Sequence, residues 1–432
     1  MLNRRRALVG AGATLAAPWV HASNPHTLRF AWWGGAARHG ATLKAIAAFE
    51  QRHPGLKVKA EYMGFNGYLE RLTTQIAGGS EPDVMQINWA WLAMFSKRGT
   101  GFTDLDAHKS LLALDQFSAE DQASGRVAGK LNALPVSYTA RVLLWNQSTF
   151  QRAGLALPRN WDELFAAGPV FKRKLGERFH PLDGELYDMM LLAQAYVHQK
   201  HGTPYLDATP GAHRIAMSLD AAREWVQTYR RLVDSHTATT LPLRASLGGA
   251  EKPTEQQPDW VLGHWAGNYT WDTAIQLRAG TLKPPQVLAL GDFPTLNGAK
   301  NSGMFGRPAL MYAVGRNCRQ PELAARFINF LLTDPEAALI LGRTRGAPAA
   351  RGPLDTLLAS NKLPALELSA HQMISKLRRS GAIDLPAPLF EHARLHRFMR
   401  EVFETVAYGK SGDADAARRL VEEGNALLRR IK

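Results

Sequence analysis

The stretch LRFAWWGGAARHGATLKAIAAFEQRHPGLKVKAEYMGFNGYLERLTTQIAGGSEPDVMQIN occupies residues 28–88, and the order of its patterns decides the fold. Leu28-Arg29-Phe30-Ala31 reads as a short strand that runs into Trp32-Trp33-Gly34-Gly35. Residues 41–52 place Leu43, Ile46, Ala47 and Phe49 on one side, which predicts a helix, and His53-Pro54-Gly55 stops it. Leu56, Val58, Ala60 and Tyr62 alternate with Lys57, Lys59 and Glu61, and a period of two is a half-buried strand. Leu69, Leu72 and Ile76, spaced by three and four, predict a helix over Phe65–Ala77 that ends at Gly78-Gly79. Asp83 to Asn88 reads as a third strand. Strand, helix, strand, helix, strand in roughly sixty residues predicts βαβ units and a parallel sheet, hence the α/β class. Such sheets bind ligands beyond the carboxyl ends of their strands. Two of the three ends carry tryptophan doublets, Trp32-Trp33 and Trp89-Ala90-Trp91. Indoles at a crevice suit stacking on flat ligands or on the apolar faces of sugar rings. Core packing is the competing account of both doublets.

Downstream, Leu134-Pro135-Val136-Ser137-Tyr138 and Arg141–Trp145 form an extended stretch that ends at Asn146. Helices are expected around Trp161–Leu175, Asp188–Gln199 and Ala221–Asp234, with Asp183-Gly184-Glu185 in a loop. GGAEKPTEQQP (248–258) is a turn-rich polar insertion. Val261–Trp271 is dense in aromatic residues, and Met304–Val314 is again extended. Glu322–Leu332 is an amphipathic helix; Asp334-Pro335 then supplies an N-cap and a first-position proline for the next one. GAPAARGP (346–353) reads as a crossover, and Ala416–Ile431 as a final helix. With 432 residues, the chain is long enough for two or three domains.

The amino-terminal segment carries Arg4-Arg5-Arg6, a short apolar run from Ala7 to Val20, and a Val20-His21-Ala22 cleavage pattern. That predicts a signal peptide over residues 1–22, too short for a membrane span. The paired arginines before Leu8-Val9 also suit the twin-arginine route. The expected product is a soluble protein of a bacterial periplasm, not embedded in a membrane. The formal net charge is +14; less the three signal arginines, it is +11. A basic balance suits a negative partner. Lys172-Arg173-Lys174 is the only run of three cations after the signal, so the charge lacks the dense stripe of a nucleic-acid binder.

Cys318 is the only cysteine, which excludes an intrachain disulfide and a cysteine-based metal cluster. No P-loop, no H-E-x-x-H and no G-x-S-x-G occurs. His198 and His201 have metal-ligand spacing on a helix but no nearby acid partner, so they read as a solvated face. Asp183 and Glu185 could be a glycosidase-like acid pair, yet a loop pair reads better as surface or hydrogen-bonding. No catalytic residue, cofactor or metal is expected.

Together, LRFAWWGG (28–35), FEQRHPGLKVKAEY (49–62), YLERLTTQIAGGSEPDVMQIN (68–88), LPVSYTARVLLWN (134–146), WAGNYTW (265–271) and AARFINFLLTDPEAA (324–338) resemble the extracellular solute-binding proteins of carbohydrate ABC transporters, the maltose-binding-protein type. WWGG with Arg38-His39, and HWAGNYTWDTAI (264–275), look most like binders of oligogalacturonides. The resemblance implies two α/β lobes joined by a hinge of crossing segments near 135–146, 303–314 and 347–353. The first lobe would hold residues 23–140 plus 307–348, the second 141–306 plus 349–432. It further implies a ligand cleft between lobes, closure over an oligosaccharide, delivery to the transmembrane subunits of an ABC permease, no chemistry, and a monomer. On that view Trp32, Trp33, Trp89 and Trp91, with the Gly34-Gly35 turn, face the cleft from the first lobe. Trp265, Tyr269 and Trp271 face it from the second, and Tyr138 contributes a hydroxyl at the hinge. Asn66, Asn88 and Asn268 are hydrogen-bonding candidates. If the sugar is a uronate, Arg38 and Arg307 are the leading candidates for its carboxylate and Arg345 a third, because guanidinium binds carboxylate in a fork. A neutral oligosaccharide ligand, or a secreted polysaccharide-degrading enzyme, are the alternatives.

Overall fold

The computed structural model describes residues 26–209, 212–249 and 252–431; the expected signal peptide lies outside them. The decisive stretch forms β1 (His26–Trp33), α1 (Ala36–Arg52), β2 (Leu56–Met63), α2 (Tyr68–Ala77) and β3 (Val84–Ile87). β1 pairs in parallel with β2 on one side and β3 on the other. Strand Gly306–Val314 then runs antiparallel to β3.

The long strand Ala133–Asn146 carries the sheet onward. Its first half pairs with Gly306–Val314, from Ala133 opposite Ala313 to Ala140 opposite Gly306. Its second half pairs with Gly267–Trp271 and with Leu288–Leu290. The register slips near Pro135 and Ser137, where a proline without an N–H is tolerated at a bulge. Ser137 Oγ donates to the carbonyl of Arg345 at 2.6 Å, and the N–H of Ala349 to Val136 at 3.0 Å. Three chain segments therefore run side by side between the two halves of the molecule.

Each half has its own core. Around β1–β3, Phe30, Trp32, Phe49 and Phe327 fill one face of the sheet, and Trp33, Tyr68, Met85 and Met311 the other. Around the far end of the long strand, Trp145, Phe150, Trp161, Trp225 and Phe403 form the second core. This core is built largely on helices Trp161–Leu175, Leu186–His201, Leu219–Asp234 and Ala393–Ala407. Asp334 caps helix Pro335–Leu341 by accepting from Glu336 and Ala337 N–H, as its Asp-Pro start requires. Helix Arg351–Ala359, expected with the second lobe, packs against Pro321–Thr333 and Pro335–Leu341. No helix among the described residues is long and apolar enough to cross a membrane.

Candidate functional site

A cleft of about 740 Å³ opens where β1 and β3 end and where the crossing segments pass. One wall is Trp33, Arg38, Phe65, Asn88 and residues 343–347. The other is Trp271, Asp272, Thr273, Gln276, Leu363, Glu367 and His371, with Thr139 and Arg307 between them. Six candidates from the sequence line it: Trp33, Arg38, Asn88, Trp271, Arg307 and Arg345.

Strand geometry explains much of the selection among aromatics. Successive strand residues point to opposite faces. Trp33 therefore meets the cleft wall, beside Phe65 at 5.7 Å, while Trp32 turns into the core, donates to His39 Nδ1 at 3.1 Å and stacks on Tyr62. Trp89 is buried, its indole N–H on the Ser124 carbonyl at 3.1 Å. Trp91 supports Trp33 from behind, with ring centres 5.2 Å apart. Trp265 and Tyr269 are fully buried in the second half, Trp265 under Arg244 and Tyr269 near Arg141. Only Trp271, at the end of its strand, emerges into the cleft. It lies between two guanidiniums, Arg141 at 4.9 Å and Arg307 at 5.0 Å.

The polar candidates divide in the same way. Asn88 lines the cleft and caps the next turn by accepting from Ala90 N–H. Asn66 is exposed on the loop after β2, outside the cleft lining. Asn268 is buried: it donates to Asp183 at 3.3 Å and accepts from Arg278 at 2.8 Å. Tyr138 is covered by the Arg378 guanidinium, 3.8 Å from the ring centre, and does not line the cleft. Gly34 and Gly35 are outside the cleft lining. They make the turn into α1, and a Cβ on Gly34 would stand 2.5 Å from the Arg38 side chain, so glycine lets Arg38 fold back over the turn. Asp183 and Glu185 are structural too. Asp183 accepts from Thr254 and pins the polar insertion, and Glu185 caps helix Leu186–His201. His198 faces Asp384 and His201 bonds Glu224, and no metal-holding cluster occurs among the described residues.

The arginines differ most in their partners. Arg307 donates to Glu391 at 2.7 Å, so its charge is already met. Arg345 is 5% exposed and donates to two neutral groups, Gln86 Oε1 at 2.8 Å and Thr42 Oγ1 at 2.9 Å. Its Nη1 is buried with no hydrogen-bond partner. Arg38 donates to the carbonyls of Thr344 at 2.9 Å and Trp33 at 3.0 Å. Burial, then the Arg345 charge, pulls the Arg38 pKa down to about 10; burial also lowers that of Arg345. Two like charges thus stand together, and neither has a carboxylate partner among the described residues. Such a pair favours an incoming anion. On the floor, Asp272 accepts from the Thr139 hydroxyl and from Ala140 N–H. Burial pushes its pKa up to about 6.

Sequence reading missed Phe65, Asp272, Arg343 and the helix Ala365–Arg379. That helix and the residue run just before it place Leu363, Glu367 and His371, each four apart, along the cleft. The spacing was visible, but nothing local told which face would meet a distant lobe.

A two-bodied α/β molecule with crossing strands and an aromatic, arginine-bearing cleft is a ligand-capturing protein. The chain belongs to the bacterial extracellular solute-binding protein family, whose model matches residues 35–338. It is similar to a periplasmic oligogalacturonide-binding protein from Yersinia enterocolitica: 37% identity, 94% of this chain and 99% of that one, TM-score 0.83. A structure of that protein in complex with saturated digalacturonic acid superposes with a TM-score of 0.80. A de novo designed cysteine esterase, an engineered protein, matches at 37% identity, 94% and 99% coverage and a TM-score of 0.87. Among curated proteins, a binding protein of Brucella abortus is 29% identical over 191 residues, 43% of this chain. The match spans 45% of that relative, under half its length.

Proposed function

We propose that this protein captures an acidic oligosaccharide, of the oligogalacturonide kind, in the cleft and delivers it to the transmembrane subunits of an ABC importer in the periplasm. It would bind and hand over its ligand without chemical change, as a monomer. The observation that carries the acidic ligand is the Arg38–Arg345 pair. Holding two guanidiniums together in a buried wall without a carboxylate is costly, and a uronate carboxylate placed there relieves it. Trp33 and Phe65 on one side and Trp271 on the other supply flat surfaces for sugar rings. Arg307, a leading choice by sequence, is better read as the residue that steadies Trp271.

We also propose the lobe limits expected from the sequence, with the last boundary moved from 349 to beyond helix Arg351–Ala359, which packs on the first core. Closure is then a population shift, favoured by a ligand that touches both walls. A thermal-shift panel tests the reading. Digalacturonate and trigalacturonate are expected to raise Tm, and maltose and galactose to leave it unchanged. Stabilisation by a neutral sugar alone would overturn the acidic assignment. Hydrolysis or lysis products in the mixtures would overturn the absence of chemistry.

A further inference from the structure

The first wall carries a third arginine. Residues 343–347 run along the cleft, with Arg345 deep and Arg343 nearer solvent, its side chain 34% exposed. Glu367 reaches Arg343 from the opposite wall. It stands in the first turn of helix Ala365–Arg379, which Ala370 and Ile374 anchor in the second core. Its side chain is 18% exposed. One wall therefore presents two guanidinium stations. The inner, Arg38 with Arg345, has no carboxylate partner among the described residues. The outer, Arg343, is held by the protein's own carboxylate.

An oligouronide bears one carboxylate on each sugar. A first carboxylate at the inner station leaves a second to be placed along the same wall. The Arg343–Glu367 pair is partly exposed, so the bond is easily exchanged: Arg343 keeps a carboxylate and Glu367 is released toward water. We propose that Arg343 is a second carboxylate station at which Glu367 acts as an internal competitor, displaced by the second carboxylate of an oligouronide. This rests on the acidic-sugar reading of the cleft. Glu367 then sets how strongly the protein prefers two uronates over one. It opposes the second carboxylate twice, by occupying Arg343 and by repulsion once released.

Titration calorimetry with galacturonate and digalacturonate, on wild type, Glu367→Gln and Arg343→Gln, tests this. The readout is the ratio of the two affinities. Glu367→Gln is expected to raise the preference for digalacturonate by about tenfold, and Arg343→Gln to lower it by about tenfold. The ratio, and not either affinity alone, carries the readout, because the inner station serves both sugars. A ratio unchanged in both variants overturns the station. Equal weakening of both sugars in Glu367→Gln also overturns it, since the pair would then be only a clasp between lobes. If wild type binds neither sugar, the acidic-sugar reading itself fails and this inference falls with it, an outcome distinct from wild-type binding with an unaltered ratio.

Discussion

The buried arginines of the second half and the inner pair of arginines on the first cleft wall are held in opposite ways. In the second half, Arg141 is paired with Asp188, Arg244 lies 3.5 Å from Asp183, Arg278 is paired with Glu255, and Arg307 at the crossing is paired with Glu391. Each is well buried, and each has a carboxylate. On the first wall, Arg38 and Arg345 are held by carbonyls, an amide and a hydroxyl. A neutralised buried arginine holds structure together; removing one partner strands the other. An arginine oriented by neutral groups keeps its charge available. The difference separates scaffold from site more sharply than arginine content or net charge does.

Exchanging the roles of Arg345 and Arg307 is the strongest way to break this comparison. Arg345→Met is expected to lower uronate affinity by about 100-fold, the lower part of the about 2–5 kcal/mol seen when a buried charged hydrogen-bond partner is truncated. Fold stability should change by no more than about 1 kcal/mol, because loss of an unneutralised buried charge offsets two lost hydrogen bonds. Arg307→Met should do the reverse. It leaves Glu391, 17% exposed at its side chain, without its cation. A stability loss of about 2 kcal/mol is expected, below the about 3–5 for fully buried pairs, since both side chains retain some solvent. Uronate affinity should fall by less than about tenfold, through a loosened Trp271. Calorimetry and denaturant unfolding on both variants decide. A larger affinity loss from Arg307→Met than from Arg345→Met would invert the assignment of scaffold and site.

The aromatic residues extend the contrast at smaller scale. Trp33→Leu and Trp271→Leu each remove one stacking face, one per wall. Each is expected to cost roughly 1 kcal/mol in affinity, about fivefold, for acidic and neutral uronide derivatives alike. That sets them apart from Arg345→Met, whose effect should vanish when the carboxylate is esterified. If Trp271→Leu discriminates by charge while Trp33→Leu does not, then Arg307 above Trp271 is reading the carboxylate after all.

The fold was legible because its signals are local. Period two in Leu56–Tyr62, spacing by three and four in Leu69–Ile76, and the Asp334-Pro335 start all depend on neighbours a few residues away. The site was legible only in part because its selection is not local. Trp32 and Trp33 are chemically identical neighbours, and the pleat sends them to opposite faces of the sheet, of which only that of Trp33 borders the cleft. Trp265, Tyr269 and Trp271 sit in one aromatic run, and only the residue at the strand's end is free to reach the cleft. Arg307 and Arg345 look alike in sequence. Glu391, 84 residues beyond Arg307, cancels the charge of one, while the other donates to the neutral Gln86 and Thr42. Helix Ala365–Arg379 had no distinguishing motif, so Glu367 and His371 could not be found without the lobe they face.

The cleft floor gives the smallest and most pH-sensitive effect. Asp272 is a carboxyl whose native pKa is raised by burial to about 6 from its ordinary value of 3.8. The native state then holds this proton more tightly than the unfolded chain does. Its contribution to stability is greatest below about pH 4 and is lost as pH rises toward 6. The same proton affects the ligand. Above pH 6 the floor carries a negative charge facing an anionic sugar; below it, that repulsion disappears. Uronate affinity should therefore rise about threefold between pH 7 and pH 5. Burial, then the charges of Arg378 and Arg379, hold the His371 pKa below the ordinary histidine value. Asp272→Asn keeps an acceptor for Thr139 and Ala140 but has no charge to lose. It should bind uronate at pH 7 about as well as wild type does at pH 5, with a flat profile between them. A slope that persists in Asp272→Asn would move the titrating group elsewhere, with His371, which also lines the cleft, the first to test.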